Sequence, residues 1–313
     1  MIVNRRFAIA GACASLCTPA FPQQSLYELT LVSLDGRRKI LGQVPDAVFA
    51  PRVSPDGRSV ALELREPVRG ADPEVQERIW IANIDRPKRR RALPAVGRGR
   101  NWAPLWTRDG TRVVFLVSEG GKDSLWWRKA DGTGDADQLV EALSAEGITP
   151  DGRFLTYITL SGDRDYGISV LDLRTKATRV VVDRPRSEQH SSTVSPDGRW
   201  IAYASNEAGR HDIWLEPLVT TPPRAGTAEP TRHRLTTSGG SHPVWAPDGT
   251  HLYFDRDGEL WSLALTFTDK GPRAEAPVAL PIRGFQQGYR RRQFDLLPDG
   301  KQFLMLFPRG YRP

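Results

Sequence analysis

The chain has 313 residues, of which 39% are hydrophobic, and it carries a formal net charge of +7 with a sequence pI near 9.6. Its nine Trp, eleven Phe and seven Tyr exclude a disordered chain, and its length provides a core that needs no disulfide or metal. A basic balance can suit nucleic acid, but no nucleic-acid motif accompanies the charge, so we predict no nucleic-acid partner.

The first twenty residues differ in character from the rest of the chain. Arg5 and Arg6 form a basic start, residues 7–17 are small and apolar, and residues 18–20 offer a small-residue cleavage site. This layout predicts a secretory signal peptide over residues 1–20, whose apolar run is too short to span a membrane. We therefore expect a periplasmic or secreted bacterial protein with no membrane span.

Both cysteines of the chain, Cys13 and Cys17, fall inside this leader. The mature chain then has no thiol, which excludes disulfides, thiolate metal sites and cysteine nucleophiles. A lipid anchor on Cys13 is an alternative form of export, although residues 10–12 match a lipobox poorly.

A four-residue phrase that ends in Asp-Gly recurs six times after the leader. Proline presets the first turn position, aspartate bonds its own backbone and glycine accepts a positive φ, so each copy predicts a tight hairpin turn. The aspartates are separated by 53, 42, 46, 51 and 51 residues, and this even spacing indicates a repeat architecture. The turn residues are Asp56 and Gly57, Asp109 and Gly110, Asp151 and Gly152, Asp197 and Gly198, Asp248 and Gly249, and Asp299 and Gly300.

Each turn begins a unit of about four short strands. A strand-like run such as residues 200–203 follows the turn directly, and a further strand opens with an aliphatic and an aromatic residue, as at residues 213–214. No helical period is sustained, so each unit matches one blade of a β-propeller. The sixth unit, residues 293–307, has only two strands, and residues 26–41 supply the missing pair. We predict an all-β, six-bladed β-propeller over residues 21–313, with its last blade closed by two C-terminal and two N-terminal strands.

The repeat resembles that of a known family. The run Ser-Pro-Asp-Gly-Arg-Trp-Ile-Ala-Tyr at residues 195–203, with Asp-Ile-Trp-Leu at residues 212–215, is similar to the repeat of TolB-like propellers, which is related to the WD repeat. The resemblance covers residues 25–313 and implies a six-bladed propeller, but it implies function only loosely because this repeat serves many roles. TolB proteins also have an N-terminal α/β domain, which we do not expect here because only residues 21–24 separate the leader from the first strand.

The sequence lacks the common catalytic motifs. There is no Gly-x-Ser-x-Gly elbow, because the nearest run, residues 239–243, ends in proline. There is also no His-Glu-x-x-His, no phosphate-binding loop and no dinucleotide fingerprint. We therefore predict a non-catalytic binding platform without a cofactor or a metal. Because a closed ring has no sheet edge to pair, we expect a monomer.

One face of the ring is predicted to carry the partner-binding residues. The loops between second and third strands and the connections between blades should share this face, around the mouth of the central channel. Their arginines and histidines suit a protein partner or a small anionic ligand, such as an acidic peptide, a carboxylated sugar or a phosphate. The candidate binding residues are Arg98, Arg100, Arg184, Arg186, His190, Arg210, His211, His242, Arg290 and Arg291.

Two alternatives stay open from the sequence. His190, His211 and His242 fall in the neighbouring units four and five, and their convergence would form a metal site. The chain would then be a metal-dependent carbohydrate lyase or hydrolase. The other alternative is a sensor module whose output domain is a separate chain.

Overall fold

The computed structural model describes residues 26–45, 48–67, 75–161, 165–221, 230–288 and 291–312, and within these ranges every regular element is a β-strand. The predicted leader at residues 1–20 and Arg290 lie outside the described residues. The strands form six antiparallel sheets, which are the six blades of a propeller. The predicted fold class is therefore confirmed.

Blades one to three run in chain order from an inner strand beside the channel to an outer strand at the rim. The second strand of a blade is its most apolar part, and in blade two Val113 to Val117 are at most 3% exposed. The strands of blade one are β3 (Val48–Val53), β4 (Ser59–Pro67), β5 (Val75–Asn83) and β6 (Arg86–Ala92). Those of blade two are β7 (Arg100–Trp106), β8 (Arg112–Glu119), β9 (Lys122–Lys129) and β10 (Asp137–Glu141). Those of blade three are β11 (Ser144–Ile148), β12 (Phe154–Ser161), β13 (Asp165–Asp172) and β14 (Thr178–Val182).

Blades four to six depart from this plan in two places. In blade five the long third strand pairs with two short strands in turn, and blade six combines strands from both ends of the chain. The strands of blade four are β15 (Gln189–Val194), β16 (Trp200–Ser205), β17 (Asp212–Pro217) and β18 (His233–Arg234). Those of blade five are β19 (Ser241–Trp245), β20 (His251–Arg256), β21 (Glu259–Thr268), β22 (Gly271–Ala274) and β23 (Val278–Arg283). Those of blade six are β24 (Phe294–Leu296), β25 (Gln302–Pro308), β1 (Leu26–Ser33) and β2 (Arg38–Pro45).

The ring closes through blade six. Strand β1 pairs with β25 in antiparallel register from Tyr27 opposite Pro308 to Ser33 opposite Gln302, and the sheet order is β2-β1-β25-β24. Leu29 of β1 is fully buried in a cluster that joins blade six to blade one. Burying such a side chain contributes about 1.5–3 kcal/mol. The predicted closure by two strands from each terminus is therefore confirmed.

The six Asp-Gly turns lie at one end of the ring. Their glycines have φ between +68° and +74°, and each aspartate accepts a backbone N–H bond from the residue two positions on, at 2.9–3.0 Å. At Gly300 a β-carbon would lie 2.9 Å from Cδ of Pro247, which belongs to the neighbouring turn in blade five. Glycine is thus required there both by the backbone conformation and by the packing between blades.

The inner strands of blades one to five are interrupted by β-bulges. At four of these bulges a residue other than glycine has a positive φ of 46–57°, namely Ala50, Ala103, Ser191 and His242. A bulge leaves a backbone N–H outside the strand ladder, and side chains from the neighbouring blade accept it. The N–H of Ala50 donates to Oε1 of Gln293 at 2.9 Å, and the N–H of Ala103 donates to Oε2 of Glu63 at 3.1 Å. The bulges therefore link one blade to the next.

Candidate functional site

The channel has two mouths with different linings. We call the end with the six Asp-Gly turns the turn face, and the opposite end, with the connections between second and third strands and between blades, the loop face. The mouth at the loop face is a cavity of about 540 Å³, and the mouth at the turn face is one of about 430 Å³. Between them the channel narrows to a cavity of about 30 Å³, which we call the waist.

The loop-face mouth combines a wide apolar wall with a few polar groups. Its side chains come from strands of blades one to four, from the connection before β11 and from the segment before β24. A concave surface of this kind suits a protein side chain or a small ligand. The residues that line it are Phe49, Trp102, Leu143, Ile158 and Tyr166 on the apolar side, with Asp123, Ser144, His190, Gln287, Gly288, Arg291 and Gln293.

Arg291 lies in this mouth and is paired with a buried carboxylate. Its Nη1 is 2.5 Å from Oε2 of Glu63, a side chain that is fully buried. The guanidinium carbon also lies 4.4 Å from the ring centre of Trp102. Burial raises the pKa of Glu63, and the charge of Arg291 opposes this shift. Arg291 thus serves chiefly to compensate Glu63 and to support Trp102.

Two more of the candidate arginines pair with buried carboxylates. Nε of Arg100 is 2.5 Å from Oε2 of Glu77, whose side chain is 4% exposed. Nη2 of Arg184 is 3.1 Å from Oε2 of Glu216, which is equally buried. Glu77 also pairs with Arg65, whose Nη2 lies 2.6 Å from its Oε1, so Arg100 is compensated only in part. The loop face is still less cationic than the sequence indicates.

The other candidate arginines occupy the loops. The backbone N–H of Arg98 donates to Oε1 of Glu119 at 2.8 Å, and that of Arg186 donates to Oδ2 of Asp165 at 2.5 Å. Arg210 is exposed and lines a second cavity of about 440 Å³ beside the mouth, which we call the side pocket. Its charge is thus available at the loop face, in a different cavity from that of Arg291.

The three candidate histidines come together at the loop face. The rings of His190 and His211 meet edge to face, with centroids 4.7 Å apart, and the rings of His190 and His242 are 6.2 Å apart. His211 and His242 both line the side pocket. Nδ1 of His242 is 2.8 Å from Oδ1 of Asp255, and Nε2 of His211 is 3.9 Å from Oε2 of Glu188.

The waist holds a group of charged side chains from several blades. Glu146 of β11 accepts the backbone N–H of Ser192 at 2.8 Å, and burial raises the pKa of this carboxyl to about 7. Burial also lowers the pKa of Arg52 to about 9, and the neighbouring charge of Arg292 adds to that effect. Low-dielectric walls therefore disfavour the charged forms of both Glu146 and Arg52.

The acidic partners of this face were not predicted from the sequence. Glu63, Glu77, Glu188, Glu216 and Asp255 each lie beside a candidate arginine or histidine. A signal existed for two of them, because Glu63 and Glu216 interrupt strand-like apolar runs. A carboxylate within such a run is buried only when it has a cationic partner. Trp102 and Phe49, which form the apolar wall, were also missed.

Comparison with known proteins identifies the repeat. A family model described as the TolB beta propeller domain matches residues 22–220. The Tol-Pal system proteins TolB of two Anaeromyxobacter dehalogenans strains are each 31% identical to this chain over 110 residues. That segment is 34% of this chain and 23% of those relatives, so the match spans about a quarter of their length.

Solved structures show the same fold. A structure assigned to TolB from Agrobacterium tumefaciens superposes with a TM-score of 0.65 at 18% identity, over 92% of this chain and 99% of that one. TolB from Acinetobacter baumannii superposes with a TM-score of 0.57 at 14% identity, over 90% and 63% of the two chains. In the part of the chain that the structure describes, no helix is long and apolar enough to cross a membrane.

Proposed function

Because the chain belongs to the TolB beta propeller domain family, we propose that it is an exported, non-catalytic platform that binds a protein partner at its loop-face mouth. The observation that carries the proposal is the loop-face cavity of about 540 Å³ with Phe49 and Trp102 in its wall. Aromatic side chains in a concave, partly desolvated pocket are the usual centres of binding energy in protein interfaces.

A protein segment suits this mouth better than a small anion. Arg184 and Arg291 are each paired with a buried glutamate, and Arg100 shares Glu77 with Arg65, so most of this positive charge is already compensated. A small anion would depend on uncompensated charge, whereas a protein segment can bury an apolar side chain against Trp102 and bond the polar groups around it. A small anionic ligand is therefore the alternative against which the proposal is tested.

The mouth is also held in shape before any partner arrives. Nε1 of Trp102 donates to Oγ of Ser118 at 2.8 Å, and the guanidinium groups of Arg100 and Arg291 lie 4.8 and 4.4 Å from its ring centre. Such support lowers the ordering cost of binding. The relatives are named as Tol-Pal system proteins, and membership of a named system supports a protein partner.

Export is part of the same proposal. Residues 1–20 have the layout of a secretory signal peptide, which directs a bacterial protein to the periplasm or the medium. N-terminal sequencing of the protein purified from its native host should begin at Phe21. A protein that retains Met1 and fractionates with the cytoplasm would contradict export, and a lipid-modified Cys13 would show the anchored form instead.

The binding site is tested by crosslinking inside the cell. A photo-crosslinking amino acid at the exposed position Gln287, in the loop-face mouth, should capture one protein partner in the native host. The same group at the exposed position Arg199, beside a turn-face loop, should not capture it. The captured partner is then produced and titrated calorimetrically against the purified propeller.

The variant that decides the assignment is Trp102→Ala. Loss of a central aromatic side chain costs about 2 kcal/mol or more, so the dissociation constant should rise at least about 30-fold. Trp127→Ala is the matched control, because this half-buried Trp lies on β9 outside the mouth. Equal affinities of the two variants would refute the site. Turnover of a glycan by the purified protein would refute a non-catalytic platform.

A further inference from the structure

Glu188, His190 and His211 form a compact cluster at the loop face of blade four. Each offers one ligand atom, a carboxylate oxygen or a ring nitrogen, and the three atoms lie within 4.8 Å of one another. His190 is fully buried, whereas the side chains of His211 and Glu188 are 21% and 25% exposed. The cluster is thus rooted in the core and open on the side that faces solvent.

The backbone that carries these side chains is fixed. His190 lies in β15 opposite Ala204 of β16. The backbone N–H of Glu188 donates to Oδ1 of Asn206 at 2.8 Å, and the carbonyl of His211 accepts the N–H of Gly240 at 2.9 Å. The positions of the three Cα atoms are therefore set by the fold, and only side-chain torsions adjust the ligand atoms.

A contact with Ser191 orients the imidazole ring of His190. Its Nδ1 is 2.8 Å from Oγ of Ser191, so Nε2, on the opposite edge of the ring, is the atom directed away from Ser191. Fixing one imidazole nitrogen by a hydrogen bond is how metal-binding proteins orient the other. The same arrangement recurs at His242, whose Nδ1 is 2.8 Å from Oδ1 of Asp255.

The donor atoms of the cluster suit a transition metal better than a hard cation. Two imidazole nitrogens and one carboxylate oxygen are the donor set of zinc sites, whereas calcium and magnesium take oxygen ligands. In a tetrahedral zinc site the ligand atoms are about 3.4 Å apart, given zinc–ligand distances of about 2.1 Å. The carboxylate oxygen of Glu188 and Nε2 of His211, at 3.9 Å, are close to that value, and small torsional changes bring in His190.

We propose that Glu188, His190 and His211 bind one divalent transition-metal ion of the zinc class at the loop face. Of the three ligands, His211 lines the side pocket of about 440 Å³ together with His242, and His190 lines the loop-face mouth. His242 is 2% exposed, and among the described residues its Nε2 has no hydrogen-bond partner. A water or a carboxylate on the metal would supply that partner. A metal ion at this site would offer a coordination bond to a partner at the loop face. The proposed metal site does not depend on whether Trp102 contacts a protein.

The experiment measures metal directly. The propeller is purified without a histidine tag, stripped with a chelator, equilibrated with Zn²⁺ and desalted, and its metal is counted by mass spectrometry. We expect one zinc per chain. Replacing zinc by Co²⁺ should give the visible absorption of a tetrahedral nitrogen–oxygen site. Glu188→Gln and His211→Ala should each weaken zinc binding at least ~10-fold, whereas His251→Ala, at the turn-face end of β20, should leave it unchanged.

Glu188 and His211 are partly exposed, so we expect both variants to fold. Zinc should raise the unfolding temperature of the parent and fail to raise that of Glu188→Gln, because only a bound ion stabilises the folded state. A parent that emerges from desalting without zinc would overturn the proposal. So would equal zinc affinity in the parent and Glu188→Gln, or loss of zinc in His251→Ala.

Discussion

The carboxyl group of Glu146 allows a test of the raised pKa in the waist. Burial raises its pKa from 4.5 to about 7, so between these values the folded protein holds a proton on Glu146 that the unfolded chain has lost. The unfolded state then binds fewer protons, and the free energy of unfolding must fall as the pH rises through this interval. Glutamine at this position cannot ionise, so Glu146→Gln should remove that part of the pH dependence.

The magnitude follows from the pKa difference. Each pKa unit corresponds to about 1.4 kcal/mol, so the interval from 4.5 to about 7 amounts to at most about 3 kcal/mol. The free energy of unfolding of Glu146→Gln should therefore exceed that of the parent by little near pH ~5 and by about 2–3 kcal/mol more near pH ~8. Both pH values lie below the pKa of about 9 at Arg52. Glutamine can keep the bond to the Ser192 N–H, as Gln293 does for the N–H of Ala50 at 2.9 Å.

The assay is urea unfolding followed by tryptophan fluorescence at several pH values between these limits. Glu141→Gln is the matched control, because Glu141 is exposed on β10 and should change stability by less than about 0.5 kcal/mol at every pH. Stability curves of the parent and Glu146→Gln that run parallel from pH ~5 to pH ~8 would refute the assignment of a raised pKa to the waist.

Two further predictions concern the closure and the turns. Leu29→Ala removes a fully buried side chain from the strand that closes the ring, and it should cost about 2–5 kcal/mol in urea unfolding, whereas Leu160→Ala, at 57% exposure, should cost almost nothing. Equal midpoints for the two variants would argue against closure by β1. Asp197→Ala removes an acceptor that lies 2.5 Å from Oγ of Ser195 and 3.0 Å from the backbone nitrogen of Arg199. This loss should lower the free energy of unfolding by about 1 kcal/mol, and Asp197→Asn should restore part of it. If both variants are as stable as the parent, the turn bonds do not contribute to stability.

The fold was predictable because its signals are local and repeated. Each Asp-Gly turn carries its own chemistry, so six copies fix six hairpins and the even spacing fixes the number of blades. The incomplete unit at residues 293–307 and the extra pair at residues 26–41 then determine how the ring closes. The fourth strand of blade five was harder to predict. Two short strands take this place, because β21 is ten residues long and β22 pairs only with its last four residues, while β23 pairs with its first part. Short sequence patterns do not show how one strand divides its pairing between two partners.

The candidate site was predictable from the sequence only as a set of residues on one face. The convergence of His190, His211 and His242 follows from blade order, but which arginines keep an available charge depends on pairing between blades. Glu63 and Arg291 are 228 positions apart in the chain and meet at 2.5 Å. The bulges add a second obstacle, because an extra residue in an inner strand reverses the alternation of side chains that sequence patterns assume.

The narrow waist has a consequence for how both mouths are used. Its cavity of about 30 Å³ has room for about one water molecule, and Glu146, Arg52 and Arg292 lie in its wall. We therefore expect these side chains to keep a segment seated at the loop face from the turn-face mouth. On that expectation, a partner that needs Trp102 should bind equally well when the turn face is altered at Arg108, which lines the turn-face mouth. Weakened binding on Arg108→Ala would mean that the channel opens and that the two mouths act as one site.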